Sequence, residues 1–142
     1  MVLTISKRHL EFLARLAERE YPRESCAVLL GRSGGHVGVA VKCTNVHPDP
    51  LHHYAIAPRE LIRLQRVGRS FGLQITGFHH SHPDHQAVPS ERDLDEANWP
   101  GCVYVISAVH AEAVGETRAY LLDDEGAVGR RFEEVAIDIK NV

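Results

Sequence analysis

The central segment of this chain reads Gly77-Phe-His-His-Ser-His-Pro83, then Asp84-His-Gln-Ala-Val-Pro89, and then Ser90-Glu-Arg-Asp93. The residues that lead into it, 73–78, alternate apolar side chains with small or polar ones, which is typical of a pleated strand. Pro83 lacks a backbone donor and should end the ladder of that strand. The segment therefore predicts a strand with three histidines at its C-terminal end.

The spacing of the histidines decides which of them can act together. Successive side chains of a strand point to opposite faces, so His80 and His82 should project to the same side. His79 and Ser81 should project to the other side. Two imidazoles are therefore expected to converge on one point.

A turn and a short helix should follow the histidines. Ser90 fits a helix N-cap, and Asp93, one turn later, can bring a carboxylate back toward His80 and His82. Each part has an ordinary explanation alone, because ten histidines make a chance His-x-His unsurprising and Ser-x-x-Asp is a near match to a capping box. Together they favour one zinc ion bound by His80, His82 and Asp93, with a fourth tetrahedral position left for water, as in catalytic sites.

Length and composition are those of one ordinary domain over residues 1–142, with 44% hydrophobic residues. The net charge is −3 and the arginines are scattered among acids, which argues against nucleic acid as a partner. Neither a signal-peptide core nor an 18-residue apolar span is found, so we expect a cytoplasmic protein without a membrane partner. The three cysteines are far apart and odd in number, which argues against a disulfide framework or a thiolate zinc site.

The remaining patterns predict a mixed α/β (α+β) domain. Ser6 fits the N-cap of a first helix that Pro22 ends. The next predicted elements are a buried strand at 26–30, a turn at 33–35, a strand at 36–43, a loop at 45–50, a short strand at 53–56 and a helix from Pro58 to Gly72. Strands at 102–106, 117–122 and 128–139 follow the histidine strand and the Ser90 helix, with a hairpin loop at 123–126. The order of these elements indicates one mixed sheet with helices on its faces, and hairpins at both ends disfavour a doubly wound parallel fold.

A metal-activated water also needs a general base that is not itself a ligand. Glu24 is a candidate because it stands at the start of a buried strand, where an unpaired charge is costly. From its spacing alone, an exposed acid after a helix end is the stronger interpretation.

Two groups of residues together resemble the signature of the JAMM (MPN-plus) metalloprotease family. The first is Pro22-x-Glu24-x-Cys26 with the apolar run to Gly31, and the second is His80-Ser-His82, seven residues, Ser90, two residues and Asp93. The resemblance extends over most of the chain through the segment that contains Asn45, Asp49, Pro50, Tyr54, Ile56 and Pro58. It implies a cytidine-deaminase-like fold of a curved mixed sheet with flanking helices.

The resemblance also implies a role for each motif residue. His80, His82 and Asp93 would bind zinc, Glu24 would activate water, and Ser90 would donate a hydrogen bond to the tetrahedral oxyanion, in competition with its role as a helix cap. The remaining histidines near the site are expected not to be ligands, namely His47, His52, His53, His79 and His85.

The implied activity is that of a zinc-dependent peptidase or isopeptidase. By resemblance to stand-alone prokaryotic members, the expected partner is a small ubiquitin-like sulfur-carrier protein, cleaved after its C-terminal Gly-Gly to release cysteine or another short adduct. The alternatives are cleavage of a lysine-linked ubiquitin-like modifier, a non-catalytic interaction module with structural zinc, and a cysteine hydrolase that uses Cys26.

Overall fold

The computed structural model describes residues 1–126 and 129–141. These residues form seven strands and three helices: β1 (Val2–Ser6), α1 (Lys7–Glu20), β2 (Cys26–Gly31), β3 (Val39–Cys43), α2 (Pro58–Ser70), β4 (Gln74–Pro83), α3 (Glu91–Glu96), β5 (Val103–His110), β6 (Ala113–Gly126) and β7 (Gly129–Lys140). The strands join one curled sheet in the order β1-β7-β6-β5-β4-β2-β3. The mixed α/β fold class is confirmed.

The pairing of the strands places β4 at the middle of the sheet. β4 runs parallel to β5 on one side and antiparallel to β2 on the other, while β1 and β7 form a second parallel pair. The remaining neighbours are antiparallel. The sheet is therefore mixed, as the hairpins at both ends of the sequence predict.

The helices cover the two faces of the sheet. On one face, Leu13 and Leu16 of α1 pack against Ala27 and Leu29 of β2. On the other face, Leu64 of α2 packs in a cluster with inward residues of β2, β4 and β5 that include Val28, Phe78 and Tyr104. Both faces of β2 are buried, as its continuous apolar run predicts.

Several local predictions are confirmed. The Oγ of Ser6 accepts the N–H of His9 at 3.1 Å as the N-cap of α1, and Pro58 begins α2. The N–H of His36 donates to the carbonyl of Ser33 at 3.0 Å and closes the predicted turn, where Gly35 adopts a φ of 77°. A residue with a Cβ is strained at this φ, which explains a glycine there.

The histidine strand is also confirmed, because β4 contains all three histidines and ends at Pro83 while it pairs with β5. One other prediction needs correction. Residues 53–56 are not a strand; this segment is a loop in which Ala55 donates to Oδ1 of Asn45 at 3.1 Å and accepts from Val46 at 2.9 Å.

The sheet edges also differ from expectation. β1 was not predicted, since five residues before a helix carry little pattern and its partner β7 lies at the far end of the chain. β3 begins at Val39 rather than at residue 36, and β6 is longer than residues 117–122 at both ends. The predicted start of the last strand, residue 128, lies outside the described residues, within which that strand begins at Gly129. No helix of the described residues has the length and apolar character needed to cross a membrane.

Candidate metal centre

His80 and His82 reach the same face of the sheet near the end of β4. The flanking strands hold this part of β4, with His80 opposite Cys26 of β2 and opposite Ile106 of β5. Only 1% of His80 and 7% of His82 is exposed. Their Nε2 atoms lie 3.1 Å apart, so the structure brings the two predicted imidazoles together.

Asp93 is positioned by a capping box at the start of α3. The Oγ of Ser90 accepts the N–H of Asp93 at 3.0 Å, and Oδ2 of Asp93 accepts the N–H of Ser90 at 2.8 Å. These bonds aim the carboxylate at the histidines, with Oδ2 3.0 Å from Nε2 of His82 and Oδ1 3.4 Å from Nε2 of His80. The Ser-x-x-Asp pattern is thus both a helix start and a device that orients Asp93.

The three side chains fit a metal ion by the direction of their electron pairs. Nδ1 of His82 lies 2.9 Å from the carbonyl oxygen of Gln86. A carbonyl can only accept, so this nitrogen carries the proton, and in the neutral ring Nε2 is left with a lone pair. That lone pair faces the Asp93 carboxylate, so a positive charge, either a metal ion or a proton on Nε2, belongs between the two groups.

The separations agree with this donor set. Zinc–ligand bonds of about 2.0–2.1 Å place the donors of a tetrahedron roughly 3.3 Å apart. Here the two Nε2 atoms are 3.1 Å apart, Nε2 of His82 is 3.0 Å from Oδ2 of Asp93, and Nε2 of His80 is 3.4 Å from Oδ1 of Asp93. His80, His82 and Asp93 are therefore a metal-compatible set.

The charges of this set depend on one another. Burial lowers the pKa of His80. Burial also lowers the pKa of His82, but the hydrogen bond and the charge of Asp93 outweigh it, so this pKa lies above its ordinary value. Burial would raise the pKa of Asp93, yet its contacts with the two imidazoles, which are hydrogen bonds when these rings carry a proton on Nε2, hold it well below its usual range. Asp93 therefore remains a carboxylate that can bind a cation at neutral pH.

Glu24 lies two residues before the start of β2, and only 6% of it is exposed. Its backbone is fixed by the carbonyl of Pro50, which accepts its N–H at 2.8 Å, and by the amide of Asn45, which donates to its carbonyl at 3.0 Å. Among the described residues, Oε1 of Glu24 has no hydrogen-bond partner. Burial raises the pKa of Glu24 to about 8, although the charge of His82 opposes part of this effect. The interpretation of Glu24 as an exposed acid is wrong.

A cavity of about 500 Å³ adjoins the candidate ligands. Its lining includes Glu24, His82, Ser90 and Asp93, so the structure gathers four of the five predicted site residues around one space. His80 lies directly behind this set, against the ring of Tyr54.

Two contacts of the ligands were not predicted. The ring of Tyr54 stacks on His80 with a centroid separation of 4.5 Å and an interplanar angle of 22°. The second is the hydrogen bond from Nδ1 of His82 to the carbonyl oxygen of Gln86, which orients the ring of His82. Partners that orient metal-binding histidines are common, but a tyrosine in a loop and a backbone carbonyl carry no sequence signal of that role.

The histidines outside this set behave differently. His79 faces the opposite side of β4, where its Nε2 contacts Oγ of Ser107 at 2.8 Å. His47 and His53 form a second group with Glu96, in which the donor atoms lie within 4.8 Å of one another.

The second group fits a metal poorly. Nδ1 of His47 accepts the N–H of Asp49 at 2.9 Å, and Arg92 donates to Nε2 of His53 at 3.0 Å. The proton of each neutral ring therefore sits on its other nitrogen, and neither ring offers a free lone pair.

The cysteines do not contribute a nucleophile. Cys26, Cys43 and Cys102 are free thiols, and burial raises their pKa values to about 12, about 11 and about 11. A catalytic thiol needs a lowered pKa, so the alternative of a cysteine hydrolase is disfavoured.

The fold and this centre together define an α/β domain with a metal-compatible His-His-Asp set and a buried glutamate beside it. The family model described as "Prokaryotic homologs of the JAB domain" matches residues 6–123 of the chain. The chain belongs to this family, and the resemblance drawn from its motifs is confirmed.

Three named relatives show how the similarity is distributed. The chain is 40% identical over 86 residues to "Desampylase" of Haloferax volcanii, covering 60% of this chain and 62% of that protein. It is 34% identical over 99 residues to "Probable TtuB-protein conjugate cleaving protease" of Thermus thermophilus, covering 70% of this chain and 66% of that protein. The chain thus spans slightly less than two thirds of the length of these two relatives. It is 28% identical over 128 residues to "CysO-cysteine peptidase" of Mycobacterium bovis, covering 89% of this chain and 86% of that protein.

Solved structures share the fold over nearly the whole chain. The solution structure of a protein from Desulfitobacterium hafniense has a TM-score of 0.83 at 27% identity and covers 100% of this chain and 94% of that one. The crystal structure of a JAB1/MPN domain protein from Archaeoglobus fulgidus has a TM-score of 0.64 at 21% identity, with 98% of each chain covered.

Proposed function

We propose that this protein is a zinc-dependent peptidase that hydrolyses the bond after the C-terminal Gly-Gly of a small ubiquitin-like sulfur-carrier protein. The observation that carries the proposal is the meeting of three metal-compatible donors with a buried carboxyl whose Oε1 has no partner among the described residues. Such a carboxyl is costly to fold and is explained if it has a proton to move.

The ligands in this proposal are Nε2 of His80, Nε2 of His82 and the carboxylate of Asp93. A bound zinc ion supplies Lewis-acid chemistry, which polarises the scissile carbonyl and makes water more acidic. The capping box holds Asp93, Gln86 holds His82, and Tyr54 holds His80, so these side chains need little rearrangement to bind the ion.

Glu24 is the proposed general base and acid. Its Oε1 takes a proton from water while the water oxygen bonds to the scissile carbon. The same oxygen then gives that proton to the leaving nitrogen as the C–N bond breaks, which yields a carboxylic acid terminus and a free amine. Burial raises the pKa of Glu24 to about 8 in the metal-free protein, and a bound cation would lower it toward neutrality, where the carboxyl can lose and regain a proton.

Ser90 is the proposed donor to the tetrahedral oxyanion. Its Oγ uses a lone pair to accept the N–H of Asp93 and keeps its own hydrogen available for donation. Capping and oxyanion binding are therefore compatible in one serine, and the competition expected between them is not required.

The substrate class rests on the relatives and on the size of the cleft. Three relatives are named for cleaving a SAMP-type, TtuB or CysO conjugate, and the last is a carrier joined to a single amino acid. The loop between β3 and α2, residues 44–57, is held by Asn45, and the turn between β5 and β6 comprises residues 111–112 alone, so the folded part of a substrate meets few long insertions here. Recognition is then expected to depend on an extended C-terminal tail.

The experiment compares carrier–cysteine and carrier–lysine conjugates with an unrelated unstructured peptide, read by mass spectrometry. Zinc-loaded protein should release the carrier with a Gly-Gly terminus, a chelator should stop it, and added zinc should restore it. Faster cleavage of the lysine conjugate would favour the isopeptidase alternative. Cleavage of the unrelated peptide alone would replace tail recognition with a general peptidase activity.

A further inference from the structure

Arg92 is the arginine that lines the candidate active-site cavity. It lies between the two functional residues of the capping box, since Ser90 precedes α3 and Asp93 follows Arg92 directly. Its side chain borders the same cavity of about 500 Å³ as Glu24. Neither proton transfer nor metal binding uses this side chain, and the signature of the family leaves its position open.

The guanidinium group is held in place but its charge is not neutralised by a neighbour. Nη1 of Arg92 lies 3.0 Å from Nε2 of His53. A guanidinium can only donate, so His53 accepts with a lone pair and contributes no negative charge. Among the residues whose side chains the structure describes, 1–124 and 129–141, no carboxylate oxygen lies within 4.0 Å of Arg92.

Asp49, the acidic residue beside His53, interacts with histidines and not with Arg92. Both carboxylate oxygens of Asp49 lie 3.1 Å from Nδ1 of His52, and the nearer one is 3.9 Å from Nε2 of His53. Asp49 thus steadies the histidines behind Arg92. The remaining donors of the guanidinium fork are left to a ligand.

The leaving group of the proposed reaction decides what that ligand can be. When the bond after Gly-Gly joins the carrier to a free amino acid, the leaving nitrogen and the terminal carboxylate sit on the same carbon atom. That carboxylate must then lie close to Glu24 and Asp93, where a like charge is unfavourable unless a cation compensates it. A lysine side chain in a protein brings no carboxylate to this position.

We infer that Arg92 binds the free α-carboxylate of the leaving amino acid and so directs the enzyme to carrier–amino-acid adducts rather than to lysine conjugates. The planar fork of arginine matches a carboxylate through two parallel hydrogen bonds. This inference rests on the proposed function and deepens it, because it assigns the choice of leaving group to one side chain.

The test uses two substrates that differ only in this charge: a carrier that ends in Gly-Gly-alanine with a free carboxylate, and the same carrier with a C-terminal amide. The zinc-loaded protein should cleave the acid with a kcat/KM at least about tenfold higher. Arg92→Gln should lower kcat/KM for the acid by about 10- to 100-fold and leave the amide within about twofold. Arg92→Lys, which keeps the charge but not the fork, should recover part of the loss.

A binding measurement separates recognition from turnover. In the Glu24→Gln background, calorimetry should show that Arg92→Gln weakens binding of the acid about tenfold or more and leaves the amide unchanged. Arg69→Gln is the matched control, because Arg69 lines a different cavity that shares none of the candidate ligands. Zinc content and melting temperature of each variant report whether the centre is intact.

The outcomes are distinguishable. Equal cleavage of acid and amide by the unmodified protein, or an equal loss for both in Arg92→Gln, overturns the role of Arg92 while the peptidase function stands. If neither carrier substrate is cut, the proposed function fails and the inference fails with it.

Discussion

His79 and His80 are adjacent residues of the same strand, and both are almost completely buried, yet their surroundings on the two faces of β4 differ. Nε2 of His79 contacts Oγ of Ser107, which in turn contacts Oγ1 of Thr117, with 2.8 Å at each step. Nε2 of His80 instead meets a second imidazole and a carboxylate.

The difference shows what turns a buried histidine into a candidate ligand. Burial and the nearby charge of His80 lower the pKa of His79 to about 3, so it is a neutral ring in a chain of hydroxyl groups. On the other face, two imidazole nitrogens and a carboxylate converge, and this set can hold a cation. Burial alone is common to both residues, so the convergence of further donors decides the function.

The largest expected effect is on metal binding. His80→Ala removes a donor and should leave no zinc equivalent after gel filtration, whereas His79→Ala should keep a full equivalent. His79→Ala should instead cost a few kcal/mol of stability, as expected when a buried side chain is removed. Elemental analysis measures the metal, and circular dichroism confirms that both variants are folded.

The opposite pattern of zinc binding would contradict the assignment of the two faces. A full zinc equivalent in His80→Ala, or loss of zinc in His79→Ala, would mean that the ligand set is assigned to the wrong face of β4. Asp93→Ala serves as a second ligand variant and should match His80→Ala.

The convergence of His80, His82 and Asp93 could be predicted from the sequence because it depends on residues that are close together in the chain. Strand alternation places His80 with His82, and the three-residue spacing of a capping box places Asp93 one turn after Ser90. The burial of Glu24 could not be derived from its spacing, since it depends on the packing of the loop that contains Asn45 and Pro50.

Contacts between distant parts of the chain also explain the other features that the sequence did not predict. β1 forms because it pairs with β7, more than 130 positions away in the numbering, and local pattern carries no information about such a pair. The stacking of Tyr54 on His80 and the contact of Arg92 with His53 are likewise long-range. Residues 53–56 have strand-like composition, but their backbone groups bond to Asn45 and Val46 rather than to a strand.

The next largest effect concerns turnover. Glu24→Gln keeps the shape of the side chain but cannot accept a proton, so kcat should fall by about 10²- to 10⁴-fold with zinc retained. Rates and zinc content are measured on the same preparation. Near-normal turnover in Glu24→Gln would remove Glu24 from the mechanism and leave its burial unexplained.

Ser90 should give a smaller effect with two separable parts. Ser90→Ala loses the cap and the oxyanion donor, so kcat should fall by about 10²- to 10³-fold and stability by about 1 kcal/mol. Ser90→Asp keeps a capping acceptor but has no hydrogen to donate, whereas Ser90→Thr keeps both. Activity near normal in Ser90→Asp would show that the cap is the whole role of Ser90.

The smallest expected effect is on the stability of the metal-free protein. It tests whether burial of a carboxyl beside His80 and His82 lowers the free energy of unfolding, a penalty that the neutral ring of His79 on the other face does not have.

The pKa of Glu24 is raised to about 8 from an ordinary value of 4.5. Between these values the folded state binds more protons than the unfolded state, so the contribution of Glu24 to stability falls as the pH rises. Below about pH 4.5 the carboxyl is protonated in both states and the cost vanishes, and above about pH 8 the cost is constant. Glu24→Gln removes it, and the variant should equal the unmodified protein near pH 4, exceed it by about 1–3 kcal/mol at pH 6, and exceed it by more at pH 8. Urea unfolding with a chelator present measures the difference, and Glu112→Gln, at an exposed carboxyl, is the control for the loss of one carboxylate. A Glu24→Gln protein less stable than the unmodified one at pH 8 would show that this carboxylate has a stabilising partner. The buried carboxyl beside His80 and His82 would then not lower the free energy of unfolding.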